Sequence, residues 1–167
     1  MLLIAKRIRD LSFSKLMEVY EEGNLENGSE LYPNLSAGEQ LLRAEQDFYQ
    51  YLNEIFFATP GAVYLIYTQQ QRYCAALRLE PYKDGLLLEA LETAPALRRK
   101  GYAATLLREM KVVLTQQGGG SVYSHVSKRN EASLRAHLGA GFEKVMDHAV
   151  YADGSVLHNL YTLRLEL

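Results

Sequence analysis

Arg98-Arg99-Lys100-Gly101-Tyr102-Ala103 follows an apolar run with strand character, residues 86–93, and opens an amphipathic helix, residues 104–116. Pro95 ends the strand, and Leu106, Leu107, Met110 and Leu114 recur at helical spacing. The first amides of a helix lack intrahelical partners and sit at the positive end of its dipole, so they are ready donors for a diphosphate. Gly101 allows backbone to approach such a ligand closely, and the three cations before it add favourable charge. A nucleotide P-loop fits less well, because Gly-Lys-Ser/Thr is absent and Lys100 precedes its glycine.

A second segment lies downstream. Asn130-Glu131-Ala132-Ser133-Leu134-Arg135-Ala136-His137-Leu138-Gly139-Ala140-Gly141-Phe142 follows another strand-like run, residues 121–126, and ends at a Gly-Phe that restarts β pattern. In order and spacing the two segments resemble the GNAT superfamily of N-acetyltransferases. The resemblance covers residues 86–142; the sequence before them carries no motif of the family, so the acceptor is not implied. In that family the Arg-x-x-Gly-x-Ala turn holds the pyrophosphate of acetyl-CoA. This implies contacts from Arg98, Arg99, Lys100, Gly101, Tyr102, Ala103 and Ala104. The Asn-to-Gly-Phe helix runs along the pantetheine arm, which implies contacts from Asn130 and Ser133. Leu91 and Thr93 would act through backbone groups, at a strand where the family's sheet is splayed.

The element order fits that architecture: an α/β (α+β) chain with a mixed central sheet of about seven strands flanked by about four helices. Residues 2–8 read as a strand and 11–22 as a helix with Phe13, Leu16, Met17 and Tyr20 on one face. Residues 22–33 read as a polar loop. Ser36-Ala37-Gly38-Glu39 is a capping-box pattern ahead of a helix reaching about Phe56. Residues 62–67 and 73–80 form a hairpin, and 85–93 continues the meander. The helix at 104–116 and the strand at 121–126 make a crossover, the connection that a parallel pair requires. A helix at 131–139 precedes a last hairpin, residues 142–151 and 156–165, around Asp153-Gly154.

Amide formation from a thioester demands most of the amine. With a pKa of about 10.4, roughly one alkylamine molecule in a few thousand is neutral at pH 7, equivalent to roughly 4–5 kcal/mol. The departing thiol, with a pKa of about 8.5, needs only roughly 2 kcal/mol of help from an acid. Family members similar to this chain carry an acid in the strand before the pyrophosphate turn, which points to Glu89 as a base acting through water. Glu92 is the alternative. Strand alternation puts Glu89 with Leu91 and Thr93, opposite Ala90 and Glu92, so one of the two carboxylates should face the acceptor. His137 stands where many members carry a tyrosine that protonates the thiolate, which makes it the expected acid, with Tyr102 and Tyr123 as other donors. Asn130 can cap its helix and also bond a ligand amide.

The rest of the chain narrows the field. With 167 residues, 48% of them hydrophobic, it suits a single domain spanning 1–167 with a sizeable core. A net charge of −2 argues against a nucleic-acid partner. Cys74 is the one cysteine, so no intrachain disulfide forms, no Cys cluster awaits zinc, and a reducing interior fits. His125, His148 and His158 show no metal spacing and read as satisfied or surface histidines. No run approaches the roughly twenty apolar residues of a membrane span. The amino terminus lacks the charge-then-apolar order of a secretory signal, so a cytoplasmic location is expected. The resemblance implies an amine acceptor and a homodimer, and a small-molecule amine is the expected partner. It leaves open a protein or peptide amine instead, or a module that binds acyl-CoA without turnover.

Overall fold

The computed structural model describes residues 1–167. The apolar alternation of residues 63–93 builds a meander of three long strands: β2 (Val63–Gln69), β3 (Arg72–Tyr82) and β4 (Gly85–Thr93). Ahead of them β1 (Leu2–Ala5) pairs with β2; beyond them lie β5 (Ser121–Ser127), β6 (Glu143–Met146), β7 (Ala149–Val150), β8 (Val156–Leu157) and β9 (Leu160–Glu166). Seven strands form one sheet in the order β1-β2-β3-β4-β5-β9-β6, and β4–β5 is its parallel junction. The helices are α1 (Phe13–Val19), α2 (Glu21–Leu31), α3 (Ala37–Tyr51), α4 (Tyr102–Gln116) and α5 (Glu131–Gly139). The mixed sheet flanked by helices is the architecture expected from the sequence, with one helix more.

Each face of the sheet carries its own core. Leu65, Leu77, Leu79 and Leu88 pack against Leu106, Leu107 and Met110 of α4. On the other face Tyr64, Ile66 and Ala76 meet Leu16 of α1 and Leu52 and Phe56 in the π-helical turn that extends α3. Fully burying one such leucine contributes about 1.5–3 kcal/mol, so both helix layers are firmly held. No helix is long and apolar enough to cross a membrane.

Three sequence expectations need correction. Residues 22–33 are not a loop, because α2 occupies most of them. Its buried residues are Asn24 and Gly28 rather than an apolar stripe, and a Cβ on Gly28 would lie 2.5 Å from the Gln40 carbonyl of α3. Close backbone approach, not amphipathicity, fixes that helix. The first strand stops at Ala5, where a short 3₁₀ turn (Ile8–Asp10) follows, closed by an Arg7–Asp10 ion pair at 3.0 Å. The last hairpin is also divided: β6 pairs with β9, while β7 and β8 form a separate small ladder at the tip.

The feature that shapes the site is an extra residue in β4. The register with β3 passes from Ala76↔Glu92 to Arg78↔Glu89, so Leu77 alone on β3 faces both Ala90 and Leu91 on β4. Ala90 takes up the excess at φ 51°, a left-handed conformation that costs a non-glycine residue about 1–2 kcal/mol.

Candidate active site

The turn after β4 presents donors to one cleft. Arg99 (φ 61°) and Gly101 (φ 78°) are both left-handed, a backbone course that turns successive amides toward one concave side. The first hydrogen bond of α4 is Thr105 N–H to the Gly101 carbonyl at 2.9 Å, which leaves the amides of Tyr102, Ala103 and Ala104 without helical partners. A Cβ on Gly101 would meet no protein atom within 4 Å, so the space beside it is open for a ligand. A cleft of about 550 Å³ lies there, walled by Leu91, Thr93, Arg98, Arg99, Gly101, Tyr102, Ala103, Ala104, Asn130 and Ser133. Of the residues expected to hold a cofactor, Lys100 alone is missing from those walls and is exposed.

Arg98 is already engaged. Its guanidinium lies 2.6 Å from Glu22 of α2 and 3.9 Å from Glu92. Burial holds the Glu92 carboxyl above its usual range, and Arg98 pulls it back the other way.

Beyond Leu88 the β4–β5 ladder ends, although β5 continues to Ser127 along β9. The gap between the diverging strands holds a second cleft of about 140 Å³, lined by Glu89, Ala90, Leu91, Ser124, His125, Asn130, Ser133 and His137. Leu91, Asn130 and Ser133 border both clefts, so the two form one groove. Asn130 caps α5 by accepting the Ser133 N–H at 3.0 Å, which leaves its amide NH₂ free to donate to a ligand carbonyl.

His137 is buried, and its ring is fully committed. Nδ1 lies 2.8 Å from the Ser133 carbonyl, which can only accept, so Nδ1 carries the proton. Nε2 is then bare and accepts the Ser124 hydroxyl at 3.0 Å. Burial pushes the ring below its ordinary pKa and favours this neutral form. In this arrangement the ring has no free proton to offer a thiolate, which speaks against the acid role expected of His137. The other expected donors point away, Tyr102 to Gln69 and Tyr123 to Asp84 at 2.7 Å.

The bulge also corrects the facing of the two carboxylates. Glu89 stands in register with Arg78 and Glu92 with Ala76, and both partners belong to the face covered by α1 and α3. Leu91 packs with Leu88 on the opposite face. Simple alternation placed Glu89 with Leu91 and opposite Glu92; the added residue reverses both relations. Glu89 sits 3.6 Å from the Arg78 guanidinium, which lies over the rings of Tyr51 and Phe56 at 5.0 and 5.6 Å.

Several residues of this region gave no clear signal in the sequence. Ser124 lies between Val122 and Val126 on an inward strand face, a polar residue where an apolar one was due. Arg78 interrupts an apolar strand in the same way. The sequence suggests a satisfied or surface histidine at His125, yet both its ring nitrogens lack partners while the ring meets Tyr82 at 5.6 Å and Tyr151 at 4.7 Å. Burial and the nearby Lys83 ammonium hold it below the usual histidine range. Cys74 is buried, and burial raises its thiol pKa, which suits packing rather than nucleophilic attack.

Comparison with known proteins follows the same lines. The profile of the Acetyltransferase (GNAT) family matches residues 29–142. The fold is similar to that of the PaiA N-acetyltransferase from Thermoplasma acidophilum, solved in complex with coenzyme A (17% identity over 100% of this chain and 99% of that one, TM-score 0.65). It is also similar to an aminoglycoside 6'-acetyltransferase type Ii (12%, 99% and 96%, 0.64). A third similar structure is the ribosomal-protein-S18-alanine N-acetyltransferase from Escherichia coli (17%, 99% and 94%, 0.60). No curated protein matches the chain in sequence.

Proposed function

Since the chain belongs to the GNAT acetyltransferase family, we propose that it transfers an acetyl group from acetyl-CoA to a primary amine of a small molecule, by direct attack within a ternary complex. The observation that carries this reading is the continuous groove from the turn at residues 98–101 to the opening between β4 and β5. One end offers unpartnered helix amides suited to a diphosphate. The middle offers the Asn130 amide and the backbone of Leu91 and Thr93 to the amides of a pantetheine arm. The far end offers a carboxylate where an amine would meet the thioester. Similar proteins that were solved with coenzyme A support the donor.

In this reading Glu89 accepts the amine's proton through a water, and the Leu91 N–H meets the negative charge that gathers on the thioester oxygen. No side-chain acid is assigned to the thiolate, whose protonation is the smaller demand. His137 instead fixes Ser124 and the start of α5, and with them Asn130. The narrow space beside Glu89, about 140 Å³ in all, favours a small primary amine. Release of free CoA from acetyl-CoA in the presence of polyamines, amino acids, aminoglycosides and peptides tests the proposal. Turnover with peptides alone would overturn the small-molecule acceptor, and binding of acetyl-CoA without turnover on any amine would overturn the enzyme.

A further inference from the structure

Tyr20, at the junction of α1 and α2, is buried, and its hydroxyl donates to the Ala90 carbonyl at 2.7 Å across 70 residues of sequence. Ala90 is the left-handed residue of the β4 bulge, and with Leu91 it falls outside the registers of both neighbouring strands. A half-buried carbonyl outside the strand ladders needs another donor, and Tyr20 supplies it. The contact also sets a direction. In a trans peptide the C=O of Ala90 and the N–H of Leu91 point opposite ways. Because Tyr20 draws the carbonyl toward the α1–α3 face, the Leu91 amide is aimed at the α4–α5 face, where Leu91 borders both parts of the groove.

We propose that Tyr20 is a positioning residue: by holding the Ala90–Leu91 peptide plane, its hydroxyl aims the Leu91 N–H at the acyl oxygen of the bound thioester. This rests on the acetyl-CoA reading of the groove. A residue between the first two helices thereby orients a donor for the cosubstrate on the far face of the sheet.

The test is the infrared band of carbonyl-¹³C acetyl-CoA bound to the wild type and to Tyr20→Phe, which keeps the ring in the core and deletes the one donor. The wild type should lower the band relative to free acetyl-CoA, and the variant should return it toward the free value. Alongside, kcat should fall by about tenfold or more, while the KM for acetyl-CoA changes by less than about twofold. A purely structural role for Tyr20 would change stability and leave the bound band where it was; that result overturns the proposal. So does a wild-type band that does not move on binding. Failure of the wild type to bind acetyl-CoA at all would instead take down the reading of the groove, and this inference with it. If Tyr20→Phe does not fold, a fluorinated tyrosine at position 20 keeps the shape and donates more strongly. It should lower the band further, and an unchanged band would again overturn the assignment.

Discussion

Replacing Glu89 by Gln removes one charge with little change in volume, which makes it a clean probe of the base. Its structural cost is bounded by the Arg78 pair, 3.6 Å apart with the two side chains 14% and 24% exposed. Arg78 keeps the faces of Tyr51 and Phe56, so its cation is not abandoned, and the loss should be about 1–2 kcal/mol, between an exposed and a buried pair. For a chain of this size that lowers Tm by about 2–8 °C, well short of unfolding at assay temperature. The chemical cost is larger. An alkylamine at pH 7 must shed a proton worth roughly 4–5 kcal/mol, and a positioned base recovers about 10²–10⁴-fold of rate. Glu89→Gln should therefore lower kcat/KM by about 10²-fold or more with an alkylamine, and leave acetyl-CoA affinity almost unchanged. An aromatic amine is already neutral at pH 7, so with it the deficit should shrink to less than about tenfold. Steady-state release of CoA with the two acceptors reads the difference directly. An equal deficit with both would refute the base, and Glu89 would then serve to hold Arg78 or to seat the acceptor.

Gly101→Val should weaken CoA binding by at least about tenfold in calorimetry, because the side chain would fill space that no protein atom occupies and would strain a left-handed residue, while the fold persists. Glu22→Gln releases Arg98 from its 2.6 Å partner and should raise CoA affinity by about two- to threefold, the scale of an exposed ion pair. A collapse of affinity between low and high salt would contradict a cradle made mainly of backbone amides. Stability should fall as pH drops below about 6.5, because there the unfolded chain protonates histidines that the fold keeps neutral at His137 and His125. His137→Gln should flatten that acid limb in part, read from denaturant midpoints, with His125 accounting for what remains.

The turn and helix starts that line the groove are legible in the sequence because their pattern is written locally. A strand, a glycine-bearing turn and a helix start lie in unbroken order, and Asn130 precedes its helix as a cap should. Where pairing across the fold decides, local pattern misleads. Ala90 carries no mark of a bulge, since alanine rarely adopts positive φ, and its one extra residue reversed the predicted facing of Glu89 and Glu92. The surroundings of His137 are hidden from the sequence for a similar reason: the Ser133 carbonyl and the Ser124 hydroxyl that engage its ring meet it only once α5 lies against β5. Helix α2 hid behind its glycines because Gly28 works by letting α3 come close, which no hydrophobic period records.

The junction between β4 and β5 has a last consequence. Three paired positions, residues 86–88 with 122–124, join two leaves that are each stitched by seven pairs on their outer sides, β3 to β4 and β5 to β9. The molecule is a book with a short spine, and on the proposed reading the pantetheine arm supplies the missing rungs. A rung does not care whether the far end of the arm is loaded or spent. The free thiol left after transfer keeps every contact along the spine and loses only the acetyl group, so it departs by unstitching the same rungs its loaded form had made. Competition between spent and fresh cosubstrate is thus built into the way the sheet is sewn.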